Sequence, residues 1–249
     1  MLERKNVLVT GASSGIGRAI ALRCADAGAD LAITYRKNQE GAEATARDLQ
    51  ARGRRVEVLR VDISQEVEIR RLAEHLQRSF SRIDVWINNA GADILTGDAG
   101  RHSPLQKLDT VMAVDVRGTV LASWAAVGMM RKQGGGSIIN MAWDHVGQGM
   151  QGENPGIYSA AKGAIASFSR SLARDVAPDI RVNILAPGFI ETAFGEEADP
   201  KFRQKVIEMT PLHRWGTPDD VAGAAVFLAS EAASFLTGQM IMVNGGVVM

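Results

Sequence analysis

Short apolar runs alternate along the chain with longer stretches in which apolar residues recur every three or four positions. The runs at 7–9, 31–34, 56–61, 85–87, 137–141, 181–185 and 240–243 read as strands. Most are nearly continuous rather than alternating, as expected of strands covered on both faces. Between them lie helical patterns such as Ile16-Ile20-Ala21-Cys24 and Val67-Leu72-Leu76-Phe80. Strand and helix in turn predict an α/β fold, with a parallel, doubly wound sheet between two helical layers.

Two helical stretches, 105–132 and 155–176, are long and carry apolar or small residues on more than one face, among them Val116, Val120, Trp124 and Val127, then Ala160, Ala164 and Phe168. Packing against the sheet and a helix-on-helix subunit interface both account for this pattern. Residues 190–211 look irregular and are expected to form a mobile lid.

At 249 residues, with no Pro/Ser-rich linker, repeat or low-complexity tract, the chain is expected to form one domain, 1–249. Lys plus Arg (28) equals Asp plus Glu (28), so bulk charge gives no case for nucleic acid or an anionic membrane. Cys24 is the only cysteine, which excludes an intrachain disulfide and a Cys-rich metal site. No metal is expected. The first residues enter a strand at once, and no run approaches the ~20 apolar residues of a membrane span, so a reducing cytoplasm is the expected location.

Chemistry begins directly after the first strand, at Thr10-Gly11-Ala12-Ser13-Ser14-Gly15-Ile16-Gly17. Gly11 can adopt backbone angles closed to other residues, Gly15 lets a pyrophosphate approach the main chain, and Gly17 lets the following helix lie close. The helix N-terminus offers free N–H groups and a partial positive charge to phosphates, and Ser13 and Ser14 add hydroxyls. A tight structural turn is the plainer alternative. Strand two ends Thr34-Tyr35-Arg36-Lys37-Asn38. With no carboxylate to hold a ribose 2′-OH, and Arg36 offering a planar cation with Lys37 in reserve, NADP(H) is favoured over NAD(H). Asp62, ending strand three, could accept from an adenine amino group or cap the helix that begins near Ser64. Far along the chain, Tyr158 and Lys162 are spaced i, i+4, so a helix points both the same way. An ammonium there is expected to lower the phenol from its model value of ~10, making Tyr158 an acid in reduction and a base in oxidation.

With these motifs in order, the chain resembles the short-chain dehydrogenase/reductase family. The likeness runs nearly end to end. It adds Asn88-Asn89-Ala90-Gly91, Pro187-Gly188-Phe189-Ile190-Glu191-Thr192, and a tail from Arg214-Trp215-Gly216 through Leu236-Thr237-Gly238-Gln239 to Gly245-Gly246. It implies a Rossmann-like sheet of seven parallel strands, a nicotinamide cofactor, a small-molecule carbonyl or alcohol as substrate, and a homotetramer or homodimer built on the two long helices. By the same resemblance Asn89, Ala90 and Gly91 line the cofactor's sugars, Ile190 and Thr192 hold the carboxamide, Lys162 bonds the nicotinamide ribose, and Ile16, Ile63, Pro187 and Gly188 complete the cofactor wall.

Three positions depart from the family's pattern. The serine that ends strand five falls on Trp143 or Asp144, depending on the direction of counting, with His145 next. Trp143 offers one N–H on a bulky ring, an ionised Asp144 only accepts, and His145 can donate and titrates near neutrality. Packing by Trp143 and capping by Asp144 is the structural alternative. Asp144 also raises a rival function, reduction of a C=N bond in a pterin- or imine-like substrate. Second, Asp115 stands where asparagine is usual, adding negative charge near Lys162 if it points inward. Third, Asn244 stands where aspartate is common. A non-catalytic protein that keeps the cofactor fold is the remaining alternative, supported only by the missing serine and opposed by Tyr158 and Lys162.

Overall fold

The computed structural model describes residues 1–249, the side chain of Glu196 excepted. Strands β1 (Asn6–Val9), β2 (Asp30–Tyr35), β3 (Val56–Arg60), β4 (Val85–Asn88), β5 (Gly136–Met141), β6 (Ile180–Pro187) and β7 (Met240–Val243) form one parallel sheet in the order β3-β2-β1-β4-β5-β6-β7. The order reverses between β1 and β4, and the crevice at such a switch point is where open α/β sheets bind ligands.

The continuous apolar runs split cleanly between the two faces. Val7, Val9, Ile33 and Ile87 point to one side, where Ile20, Ala21 and Cys24 of α1 (Gly15–Asp26) and Val221, Ala222 and Ala225 of α9 (Pro218–Ala229) cover them. Leu8, Ala32, Trp86 and Ile138 point to the other. There they meet Leu72 and Leu76 of α3 (Glu66–Ser79), Ala126 and Met130 of α5 (Gly118–Gln133), and Leu172 and Val176 of α6 (Glu153–Val176). Helix α2 (Gln39–Ala51) lies beside α1, with an Asn38 side-chain cap.

The long helix expected at 105–132 is not uniform. Its first part, α4 (Pro104–Val111), starts on a Ser103–Gln106 capping box with proline at its first position. A π-helical segment, Met112–Arg117, follows, and only then α5, which ends at Gly134 with φ 85°. The extra residue per turn in a π segment shifts the facing of the helix, and it carries Asp115 fully inward. By length and composition alone the helical run Pro104–Gln133 could cross a membrane, but half of its most apolar window is buried within the fold. Ala122, Ala126 and Met130 pack inward, while Trp124 projects into solvent, edge-on to Phe168 of α6.

Residues 190–211 are more regular than their sequence suggests. They contain α7 (Ala193–Glu197) and α8 (Pro200–Met209), the latter capped by Asp199, whose Oδ1 accepts from the N–H groups of Lys201 and Phe202.

Candidate active site

A cleft of about 1220 Å³ opens along the C-terminal ends of β1, β2, β4, β5 and β6. Thr10 stitches its floor together. The Thr10 hydroxyl accepts from the N–H groups of Asn89 and Ala90, both at 3.0 Å, and donates to the Ile87 carbonyl at 3.3 Å. In return the Asn89 amide donates to the carbonyls of Thr10 (2.9 Å) and Gly11 (3.1 Å). The glycine turn closes around this clamp. Gly11 has φ 67°, and a Cβ there would lie 2.8 Å from the Ala90 Cα. A Cβ on Gly17 would lie 2.3 Å from both the Asn89 amide nitrogen and the Gly11 oxygen. Gly15 has φ 52°. Ser14 is the extended N-cap of α1, yet its side chain caps none of the first-turn N–H groups. The donors of this helix end are therefore kept for whatever lies in the cleft.

The remaining residues expected to hold a dinucleotide come to the same cleft. Ser13, Ser14 and Ile16 line it beside the glycine turn, Asp62 and Ile63 after β3, and Ala90 and Gly91 after β4. Pro187, Gly188, Ile190 and Thr192 line it after β6. Arg36 and Lys37 lie exposed on its wall at the end of β2. Asp62 faces the cleft and also caps its own loop, Oδ1 accepting from the N–H (3.0 Å) and hydroxyl (2.7 Å) of Ser64. The cradle of positive-φ glycines, uncapped helix N–H groups and basic rim fits a dinucleotide phosphate chain.

At the other end of the cleft, α6 presents Tyr158 and Lys162 on one face, with the Lys162 ammonium 5.5 Å from the centre of the Tyr158 ring. Lys162 is buried and pairs with Asp115, Nζ to Oδ2 at 2.8 Å. The other Asp115 oxygen accepts from the Ala92 N–H at 2.7 Å. Burial is the largest influence on the Tyr158 phenol and raises it; Lys162 pulls it down, while Asp115 and Asp93 push it up, and it ends above its ordinary value. The direction is the opposite of the expected lowering because burial comes first, and the carboxylates of Asp115 and Asp93 then oppose the ammonium that favours the phenolate. Burial by itself would lower Lys162, but Asp115 first and Tyr158 next outweigh it and hold the ammonium above its usual range.

The structure also decides among Trp143, Asp144 and His145. Trp143 lines the cleft, edge-on to Tyr158 with ring centres 5.9 Å apart. Asp144 turns away from it. Its side chain is buried behind Gly188, where Oδ1 accepts from His145 Nδ1 (2.7 Å) and Oδ2 accepts from the Asn244 amide (3.1 Å). A catalytic Asp144, and with it the grip on a pterin- or imine-like group, is therefore corrected: the carboxylate faces Asn244 rather than substrate. Two departures from the family's pattern thus fit each other, because an aspartate at 244 would set two carboxylates together. His145 is buried under Trp143, its ring stacked on the indole at 4.9 Å. Sequence reasoning missed Thr10 as the clamp and Phe189 as a cleft-lining aromatic, whereas Phe194 and Phe202, which also line the cleft, fall in the 190–211 stretch expected to form the lid. The Thr10 hydroxyl beside the first glycine was the available signal for the former.

Fold and cleft together define a nicotinamide-dependent oxidoreductase of the doubly wound α/β class. A family model described as enoyl-(acyl carrier protein) reductase matches residues 11–248. An uncharacterised oxidoreductase of Methylorubrum extorquens is 36% identical, over 99% of this chain and 98% of its own. A 3-oxoacyl-(acyl-carrier-protein) reductase of Staphylococcus aureus is 33% identical over the full length of both. Among solved structures, a double variant of a Serratia marcescens short-chain dehydrogenase/reductase superposes with a TM-score of 0.90 at 29% identity, covering 99% of this chain and 98% of its own. The chain belongs to the short-chain dehydrogenase/reductase family.

Proposed function

We propose that the protein reduces the carbonyl group of a small molecule to an alcohol with NADPH, working as a cytoplasmic homo-oligomer. The observation that carries this is the convergence of Tyr158 and Lys162 on the cleft that the glycine turn floors. A nicotinamide held by the glycine turn and the residues after β4 and β6 would supply the hydride. Tyr158, a phenol protonated at neutral pH, donates its proton to the carbonyl oxygen. Lys162, anchored by Asp115, presents its ammonium beside that phenol and steadies it as it ionises. Arg36 and Lys37 on the rim favour a 2′-phosphate over a bare ribose hydroxyl. The outward Trp124 on α5, edge-on to the half-buried Phe168 on α6, supports self-association through that helical face.

The test is a panel of ketones, alcohols and pterins with either cofactor, followed by nicotinamide absorbance. Turnover of ketones with NADPH is expected. Tyr158→Phe should abolish turnover while NADPH still binds, and full activity in that variant would sink the assignment.

A further inference from the structure

The place where the family's serine is expected carries an indole, and the groups beside that indole serve to hold it. Asp144 Oδ1 accepts from His145 Nδ1, and the His145 ring stacks on Trp143 with the planes 23° apart. The indole then stands nearly perpendicular to the Tyr158 ring, at 89°. Further round the same cleft lie Phe189, Phe194 and Phe202. Phe202 meets the other two edge-on, at 5.7 and 6.2 Å, and Phe189 also meets His145 at 5.9 Å. The wall beside the proton donor is thus a run of rings fixed against one another.

Its charges are distributed just as unevenly. The cations on the cleft wall are Arg18, Arg36 and Lys37, which belong to the glycine turn, α1 and the end of β2, and Lys162, which Asp115 already neutralises. Nearby Lys107 is buried and donates to Asn154, and Arg203 pairs with Glu191; neither lines the cleft. The other charges on the wall are Asp62, which lies after β3 among the residues expected to hold the dinucleotide, Asp93, which bears electrostatically on Tyr158, and Glu191. A substrate carboxylate would meet no free cation there among the described residues.

We propose that the substrate is an uncharged aromatic carbonyl compound whose ring is gripped by Trp143 and the Phe189–Phe194–Phe202 wall, with Asp144 and His145 as positioning residues for the indole. This rests on the carbonyl-reductase reading above. Hydride from the dihydronicotinamide goes to the carbonyl carbon and the Tyr158 proton to its oxygen, so that C=O becomes CH–OH and the cofactor is oxidised. Aromatic rings prefer edge-to-face and offset contacts with one another, an advantage a saturated ring of similar size does not share.

Three probes test this on the full-length protein with NADPH: acetophenone, cyclohexyl methyl ketone and the para-carboxylate of acetophenone. The value of kcat/KM for acetophenone is expected to exceed that for the saturated ketone about 10-fold, and that for the carboxylate by more. Trp143→Ala should bring the aromatic-to-saturated ratio near unity, while Trp143→Phe restores most of it; a purely structural role would depress both substrates alike. Equal rates for the aromatic and saturated ketones, or a ratio unmoved in Trp143→Ala, overturns the aromatic wall and leaves carbonyl reduction standing. Failure of all three ketones with NADPH bound overturns the parent reading and this one with it.

Discussion

Asp115 gives Tyr158 and Lys162 a neutral balance. At pH 7 it offsets the Lys162 ammonium 2.8 Å away, both groups being buried beside a phenol that is still protonated. The direction of its effect follows from charge: a carboxylate opposes the phenolate, and the ammonium favours it. Replacing Asp115 with asparagine keeps an oxygen for the Ala92 N–H but removes the opposing charge. The Tyr158 phenol should then fall, and the alkaline rise of alcohol oxidation should move to lower pH. Stability should drop by about 3 kcal/mol, because a buried ammonium loses its partner. A pH–rate profile and a urea titration of Asp115→Asn measure both, and an unmoved alkaline limb would refute the coupling. Tyr158 and Lys162 were legible in the sequence because i, i+4 spacing survives in a regular helix. The Lys162–Asp115 pairing was legible only as a condition, since it depends on a π segment that shifts residue facing without leaving a periodic signature.

Among the elements, the strands were the most readable, their ends falling within two residues of the expected ones. Buried parallel strands need unbroken β-branched and aliphatic runs, and little else in a chain looks like that. Helices α7 and α8 went unread because α7 spans only five residues, Ala193–Glu197, and α8 has few apolar positions on a mostly polar face. Helix α9 shows what a sequence can say about a helix start. Thr217 and Asp220 form a capping box with Pro218 at the first position, and Arg214 grips both Asp220 oxygens, at 2.7 and 2.8 Å. The Arg214 bond first, then those from Thr217, hold the Asp220 carboxyl well below the usual carboxylate range, against a burial effect that would raise it. A depressed carboxyl adds stability above its unfolded value of ~3.9 and loses it as pH falls through the folded value. Asp220→Asn should therefore cost about 1 kcal/mol at pH 7, a modest figure for a solvent-screened cap. Wild type and variant should converge as pH falls below about 4, as urea midpoints across that range would show. A gap that persists in acid would mean that packing, not charge, sets the cost.

At the scale of the whole molecule, two apolar layers clamp one sheet, and the layer beneath the glycine turn contains the chain's single thiol. Cys24 lies on α1 with no exposed surface, and burial pushes the thiol up to about 12. Only the thiolate attacks a disulfide reagent, so the native protein should be inert to such a reagent at pH 8, and labelling should require this layer to open. The same helix begins at the glycine turn and offers its uncapped N–H groups to the cleft. An opening that exposes Cys24 must therefore dismantle the phosphate cradle as well. A ligand that binds the closed form alone shifts the opening equilibrium by the full linkage free energy, about 2.7 kcal/mol at a hundredfold excess over Kd. NADPH at that excess should slow labelling about 100-fold. Adenosine, which lacks the phosphates, should protect far less at equal concentration. Rapid labelling of the folded protein, or labelling that ignores NADPH while the cofactor is demonstrably bound, would separate the thiol from the cleft and show that α1 does not open as one unit with the site it supports.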